Sequence, residues 1–199
     1  MPEQFLHMGL DYGSQLAGTT AAAMLVEGQV QIWQSKKGQN ADDWLLNLVQ
    51  EVKPKLIYID APLTLPAVYS QTPLTVKADF FYRVCDREVK AMSPMIIGGL
   101  TARAIKLRTQ LATAGVATLE TYPTQLKHLL FPHLENYKKD LKYLTEFTEA
   151  LEGMINFKIN IPPANWHQLD AMLAWYSGCR HLQKQSVLYG DATEGRIIV

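Results

Sequence analysis

The chain has 199 residues, 48% hydrophobic and 19% charged, a balance that suits one packed core and excludes long disorder. Nineteen Lys and Arg match nineteen Asp and Glu, so overall charge singles out neither nucleic acid nor an anionic membrane as partner. The two cysteines, Cys85 and Cys179, lie far apart and lack CxxC or Cys/His metal spacing, so they read as reduced thiols of a cytoplasmic protein. Met1-Pro2-Glu3-Gln4 has neither a basic nor an apolar leader pattern, and no apolar run approaches the roughly 20 residues that span a bilayer; no signal peptide and no membrane partner are expected.

Phe5–Leu10 reads as a strand ending at Asp11-Tyr12-Gly13. Thr19–Val26 and Val30–Trp33 follow as strands joined by Glu27-Gly28-Gln29, making an antiparallel meander. Ala41–Val52 is helical, with Trp44, Leu45, Leu48, Val49 and Val52 on one stripe and Asp42 and Asp43 as a solvated acidic first turn. Leu56–Ile59, apolar on both faces, is a fourth strand that stops at Asp60. Helices are expected at Phe80–Ala91 and Thr101–Ala114, the second capped by Gly115, then a fifth strand at Val116–Glu120. Further helices fall at about Thr124–Phe131, Asp140–Gly153 and Trp166–Gln183, the last with Asn165 as N-cap and Gln168 as its capping-box partner. Gly190–Val199 reads equally as a last strand or as a tail. The expected fold is one α/β domain over residues 1–199, with a mixed five-stranded sheet flanked by helices. Strands one to three are antiparallel, strand four returns through a right-handed crossover to lie parallel to strand one, and strand five is parallel as well.

Asp11 and Asp60 each end a strand. If those strands are neighbours, their backbones are about 4.8 Å apart and both carboxylates reach one cation at the carboxyl edge of the sheet. Hard oxygen ligands point to Mg²⁺ or Mn²⁺, which serve phosphodiester hydrolysis. Asp170, one turn into the last helix, is the third candidate ligand, and His167 shares its helical face as a ligand, base or phosphate donor. Glu120, at the end of strand five, would complete the cluster or orient a ligand. Crowded carboxylates repel, so a genuine cluster predicts a bound cation or a raised carboxyl pKa.

Between Arg83 and Arg108, six cationic side chains face two anionic ones. Arg83 and Arg87 are candidate phosphate ligands of the substrate; an ion-paired helix face with Asp86 explains them as well. Tyr82, Tyr122 and Trp166 are candidate base-stacking rings, although aromatics at element ends are more often core.

Six segments together resemble a known family, the domain of unknown function 429 proteins, which are predicted ribonuclease-H-like nucleases. They are Gly9-Leu10-Asp11, Ile59-Asp60-Ala61-Pro62-Leu63, Arg83-x-Cys85-Asp86, Glu120-Thr121-Tyr122-Pro123, His167-Gln168-Leu169-Asp170-Ala171 and Gly190-Asp191-x-x-Glu194-Gly195-x-Ile197-Ile198. The resemblance spans nearly the whole chain. It implies a ribonuclease-H-like fold and a metal-dependent nuclease with a nucleic acid or nucleotide substrate. Asp11, Asp60 and Asp170 would be the metal carboxylates, with Glu120 nearby. Ribonuclease H itself takes a carboxylate from the helix after strand three, where this chain has only Asp42, Asp43 and Glu51, so the likeness is closer to the resolvase-type branch. Two other readings stand beside it. Asp11-Tyr12-Gly13 also fits the first phosphate loop of the actin and sugar-kinase superfamily, although 199 residues supply one such domain where two are usual and no GxxxxGK[ST] loop is present. A non-catalytic binding module would keep the fold without the chemistry.

Overall fold

The computed structural model describes residues 6–70 and 78–199. Along the chain come β1 (His7–Asp11), β2 (Ala21–Val26), β3 (Gln29–Gln34), α1 (Ala41–Val52), β4 (Leu56–Asp60), α2 (Val84–Val89) and α3 (Gly98–Thr113). β5 (Ala117–Glu120), α4 (Pro123–Leu130), α5 (Leu144–Glu152), β6 (Lys158–Ile159), α6 (Trp166–Leu182), β7 (Leu188–Asp191) and β8 (Gly195–Ile198) follow. The strands form one mixed sheet in the order β6-β3-β2-β1-β4-β5-β8-β7. β1, β2 and β3 pair antiparallel, whereas β4 lies parallel to β1 and β5 parallel to β4. The meander and the parallel pairing of β4 and β5 are as expected.

The sheet has eight strands where five were expected. β6 is two residues long and pairs with β3 in parallel. β7 and β8 form an antiparallel hairpin, and β8 joins the sheet through one pairing, Glu120 with Ile197. Such short strands are recruited by a distant partner, and their own residues carry no alternation long enough to read. The hairpin also decides the C-terminal segment. Asp191 Oδ1 accepts from Thr193 N at 2.8 Å and Glu194 N at 3.1 Å, which closes the turn. Glu194 then accepts from Ala67 N at 2.7 Å and Val84 N at 2.8 Å, latching the hairpin onto the loop after β4 and the start of α2.

Helix boundaries moved where side chains captured backbone donors. The helix expected from Phe80 begins only at Val84, because Asp79 accepts from Phe81 N and Tyr82 N, both at 2.9 Å, and Asp86 accepts from Arg83 N at 2.9 Å. The helix expected from Asp140 opens as a 3₁₀ turn, Leu141–Tyr143, capped by Asp140, before α5. At α6, Asn165 Oδ1 accepts from Gln168 N, while Gln168 Oε1 accepts from Ala164 N at 2.7 Å, one residue before the position a capping box uses. Phe5 of the first expected strand, and the residues read for a leader, lie outside the described residues. Among the described residues no helix is long and apolar enough to cross a membrane.

Side chains alternate across a strand, and here the alternation decides the site. Met8 and Leu10 of β1, with Ile57 and Ile59 of β4, pack against Leu45, Leu48 and Val49 of α1 and Leu107 and Leu111 of α3. The opposite face carries Ala21, Ala23 and Leu25 of β2 against Leu169 and Trp175 of α6, Leu126 of α4 and Phe147 of α5. By parity, Gly9 and Asp11 of β1 and Asp60 of β4 face α6. α6 crosses β1 in backbone contact: a Cβ on Gly9 would lie 2.0 Å from Trp175 N and 2.3 Å from Ala171 O. A Cβ on Gly178 would likewise lie 2.4 Å from the His7 ring.

Gly9→Ala is therefore expected to cost about 3 kcal/mol or to prevent folding, because the obstruction is backbone on both sides. Gly99→Ala, where nothing lies within 4 Å, is the control and should be neutral or slightly stabilising. Urea midpoints measure both; a Gly9→Ala midpoint equal to wild type would refute the close crossing.

Candidate functional site

β1 and β4 end together. Asp11 and Asp60 are register partners on adjacent parallel strands, so their carboxylates leave the sheet side by side. α6 passes over that edge with Ala171 against Gly9, which brings Asp170 onto the same spot. One oxygen of each of Asp11, Asp60 and Asp170 lies within 4.8 Å of the others. His167, one turn before Asp170, holds Asp11 through Nδ1···Oδ2 at 2.7 Å. Three carboxylates and the histidine expected from separate parts of the sequence are thus brought together.

Their electrostatics follow from burial. Asp170 is fully buried. Burial and the neighbouring Asp11 raise its carboxyl pKa to about 6, against the pull of Lys138 and Tyr137 toward the ionised form. Asp60 is pushed well above the usual carboxylate range by burial and then by Asp11 and Asp170, with Lys138 opposing. His167 is made more basic by its hydrogen bond to Asp11. Tyr137 donates its hydroxyl to Asp170 Oδ1, and the Lys138 ammonium is ion-paired with Asp170 Oδ2. Neither residue was anticipated. Asn136-Tyr137-Lys138-Lys139 reads as a polar turn, and only the tertiary structure carries it to the end of α6.

The donor set fits a hard divalent cation: three clustered carboxylate oxygens, two of them on carboxyls whose burial and mutual repulsion favour a positive neighbour. The cluster already takes the Lys138 ammonium. Asp11, Asp60 and Asp170 are the residues that would hold such an ion.

Glu120 borders the cavity at these carboxylates but is bound to Arg83, and Arg83 and Arg87 do not line it. The Arg83 guanidinium is buried and all five of its N–H groups are committed. Nε and Nη2 bond Asp86 at 3.0 and 2.6 Å, Nη1 and Nη2 bond Glu120 at 2.7 and 2.6 Å, and Nη1 also bonds Thr64 at 2.8 Å. No donor remains for a substrate phosphate, which corrects the expectation for Arg83. Glu120 has both oxygens on Arg83 and accepts from Leu63 N at 2.9 Å, so it fixes the loop after Asp60 instead of serving as a free ligand. Burial raises the Glu120 pKa while Arg83 lowers it. Arg87 is exposed, pairs with Asp79 at 2.7 Å and covers the Tyr82 ring at 3.6 Å. It sits outside the cavity at the carboxylates and borders a separate surface hollow with Tyr82 and Glu194.

Asp42 is more than a solvated helix start. It accepts from Tyr12 Oη at 2.6 Å and Arg103 Nη2 at 2.6 Å, while Arg103 Nη1 bonds Gly13 O at 3.0 Å. Burial opposes its ionisation, but Arg103 and Tyr12 outweigh burial and hold its pKa below the ordinary value. This cluster pins the loop after Asp11 to α1 and α3.

A cavity of about 260 Å³ opens at the carboxylates, lined by Asp11, Asp60, Asp86, Glu120 and Lys138 and by Pro62, Met92, Ile97, Leu100 and Tyr122 among others. A shallower groove bordered by His167, Gly13 and Ser14 shares Ile97 and Leu100 with it. Met92 and Ile96 at the rim are largely exposed. Of the three candidate stacking rings only Tyr122 lines the cavity; Trp166 packs edge-on to Tyr137 and Phe147 in the core.

No protein-family model matches the sequence, and no curated protein matches it.

Two outcomes follow. Arg83→Met leaves Glu120 and Asp86 buried without their cation and should cost about 3–5 kcal/mol in urea unfolding. The second concerns pH. Asp170 has a folded pKa near 6, above its ordinary 3.8, so its contribution favours the folded state below pH 4 and is lost as pH rises through 6. In a chelator, wild type should lose up to about 3 kcal/mol between pH 4 and 6.5 relative to Asp170→Asn. Parallel pH profiles of the two proteins would refute the buried cluster.

Proposed function

We propose that the chain is a metal-dependent phosphodiester hydrolase, a nuclease of ribonuclease-H-like fold related to the domain of unknown function 429 proteins. The observation that carries this reading is the convergence of Asp11, Asp60 and Asp170 at the carboxyl ends of two adjacent parallel strands, with His167 on Asp11. Asp11, Asp60 and Asp170 would hold Mg²⁺ or Mn²⁺. Bound there, the ion supplies Lewis acidity toward a phosphoryl oxygen and neutralises charge that develops in the reaction.

The chain's own residues supply the remaining chemistry. Asp11 accepts the Nδ1 proton of His167, which leaves Nε2 as the basic nitrogen. A water attacking phosphorus gives its proton to Nε2, and Asp11 stabilises the imidazolium that results. The P–O bond to the leaving group breaks, and that oxygen takes a proton from solvent. The Glu120–Leu63 and Asp42–Tyr12–Arg103 contacts hold the loops that carry Asp60 and Asp11, so the carboxylates are positioned before substrate arrives. Pro62, Met92, Ile97 and Leu100 supply the apolar part of the cavity lining beside the carboxylates.

A second reading, a small nucleotide as substrate, is favoured by the cavity. Its volume of about 260 Å³ suits a single nucleotide better than stacked base pairs.

Labelled single- and double-stranded DNA, RNA, hybrid and branched substrates, together with nucleotides, should be tested with Mn²⁺ or Mg²⁺ in wild type and Asp60→Asn. The variant is expected to lose Mn²⁺ binding and at least about 10³-fold in cleavage rate. Its metal-free Tm should rise by a few degrees, because the substitution removes a carboxyl whose ionisation burial and the neighbouring carboxylates oppose. Full cleavage by Asp60→Asn would overturn the proposal, and the Tm separates loss of chemistry from loss of fold.

A further inference from the structure

Among the described residues, Lys138 brings an ammonium into the carboxylate cluster. Its Nζ is ion-paired with Asp170 Oδ2 and lies 5.2 Å from the centroid of the Tyr137 ring. Its charge acts on Asp60 and Asp11 as well as on Asp170, and it borders the same cavity as Asp11 and Asp60. The ammonium thus stands against the oxygens that would bind a metal ion.

The loop that delivers it is under backbone strain. Asn136 and Lys138 both have left-handed backbone, at φ 65° and 61°. For a residue with a long side chain that conformation costs about 1 kcal/mol and persists only where contacts offset it. A turn bond, Lys139 N to Asn136 O at 3.1 Å, closes the segment, and the two contacts to Asp170, from Tyr137 and Lys138, tie it to α6. Yet the Lys138 side chain keeps 42% of its surface exposed, so it has a path out to solvent. Asp170 is fully buried and cannot follow it.

Three crowded carboxylates need a positive partner, and two candidates compete for them. Lys138 supplies one charge from a strained, half-exposed position. A divalent ion supplies two and takes oxygen from all three groups. Like an ion, the ammonium must sit close to Asp170, so the two exclude each other. We propose that Lys138 is a built-in counter-ion of the carboxylate cluster, which holds the site together without metal and is displaced by the incoming divalent ion, freeing the Asn136–Asp140 turn. This rests on the reading that Asp11, Asp60 and Asp170 bind a cation. It adds that metal affinity is set by competition with the chain's own ammonium, since a site that is free only part of the time binds with correspondingly reduced affinity.

The test is Mn²⁺ binding by isothermal titration to wild type, Lys138→Met, Lys138→Arg and Asp60→Asn, with amide hydrogen exchange over residues 136–140. Lys138→Met should bind Mn²⁺ at least about tenfold more tightly than wild type and unfold at a lower temperature in a chelator. Lys138→Arg keeps a cation and should stay near wild type in affinity. Adding Mn²⁺ should speed exchange over residues 136–140 in wild type, while in Lys138→Met exchange there should be fast from the start. Equal or weaker Mn²⁺ binding by Lys138→Met overturns the counter-ion role and leaves the metal reading standing. Unchanged binding with slower cleavage would make Lys138 a substrate contact and overturns it equally. If neither wild type nor Lys138→Met binds Mn²⁺, the metal reading falls and this inference with it.

Discussion

The contact between α6 and β1 at Gly9 is the constraint on which the site depends. A helix ordinarily packs on a sheet through a layer of side chains. Here the Ala171 carbonyl and the Trp175 amide press directly on a strand residue that has no side chain. The small Ala21 and Ala23 of β2 face the same helix and permit the same approach. Only at this separation does Asp170, an early-helix residue, reach the ends of β1 and β4. A helix standing off by another methyl layer would leave Asp11 and Asp60 as two strand-end carboxylates without a third.

Around that contact the chain holds a buried arrangement that ordinary folding would avoid. Asp60 and Asp170 lie close together beside Asp11, at a cost set by burial and repulsion. The surroundings offset it in pieces: His167 on Asp11, Tyr137 and Lys138 on Asp170. A little further out, the second buried group of charges is fully paired, with Arg83 spending every donor on Asp86, Glu120 and Thr64. The contrast is informative. In Arg83–Glu120–Asp86 both carboxylates are held by the guanidinium, so the group reads as structure even though Glu120 and Asp86 border the cavity. Asp11–Asp60–Asp170 crowds three carboxyl groups, two of them with raised pKa, beside that cavity, so it reads as a site.

The C-terminal hairpin and the Asp42 cluster extend the same logic outward. Glu194 caps the loop that follows Asp60, and Asp42 with Arg103 clamps the loop that follows Asp11. The two carboxylates that matter thus sit on strand ends whose exits are fixed from both faces of the sheet. Rigid delivery of a few side chains from separate elements is how a sheet edge becomes a binding site.

The sequence by itself determined the local elements and the ionisable groups they carry. Apolar alternation and runs placed β1 to β5, α1 matched its expected bounds, and strand-end position singled out Asp11 and Asp60. His167 and Asp170 were paired by helical spacing alone. These signals are local, and local spacing is what a sequence displays. The tertiary structure decided the rest. It gave Arg83 and Glu120 to each other, turned Arg87 to the surface and drew β6, β7 and β8 into the sheet. It also carried Tyr137 and Lys138 onto Asp170 across more than thirty residues of chain. The reason is the same in each case: a charged side chain does not reveal whether its partner will be solvent, substrate or another buried charge, because that partner is chosen by packing between elements far apart in the chain.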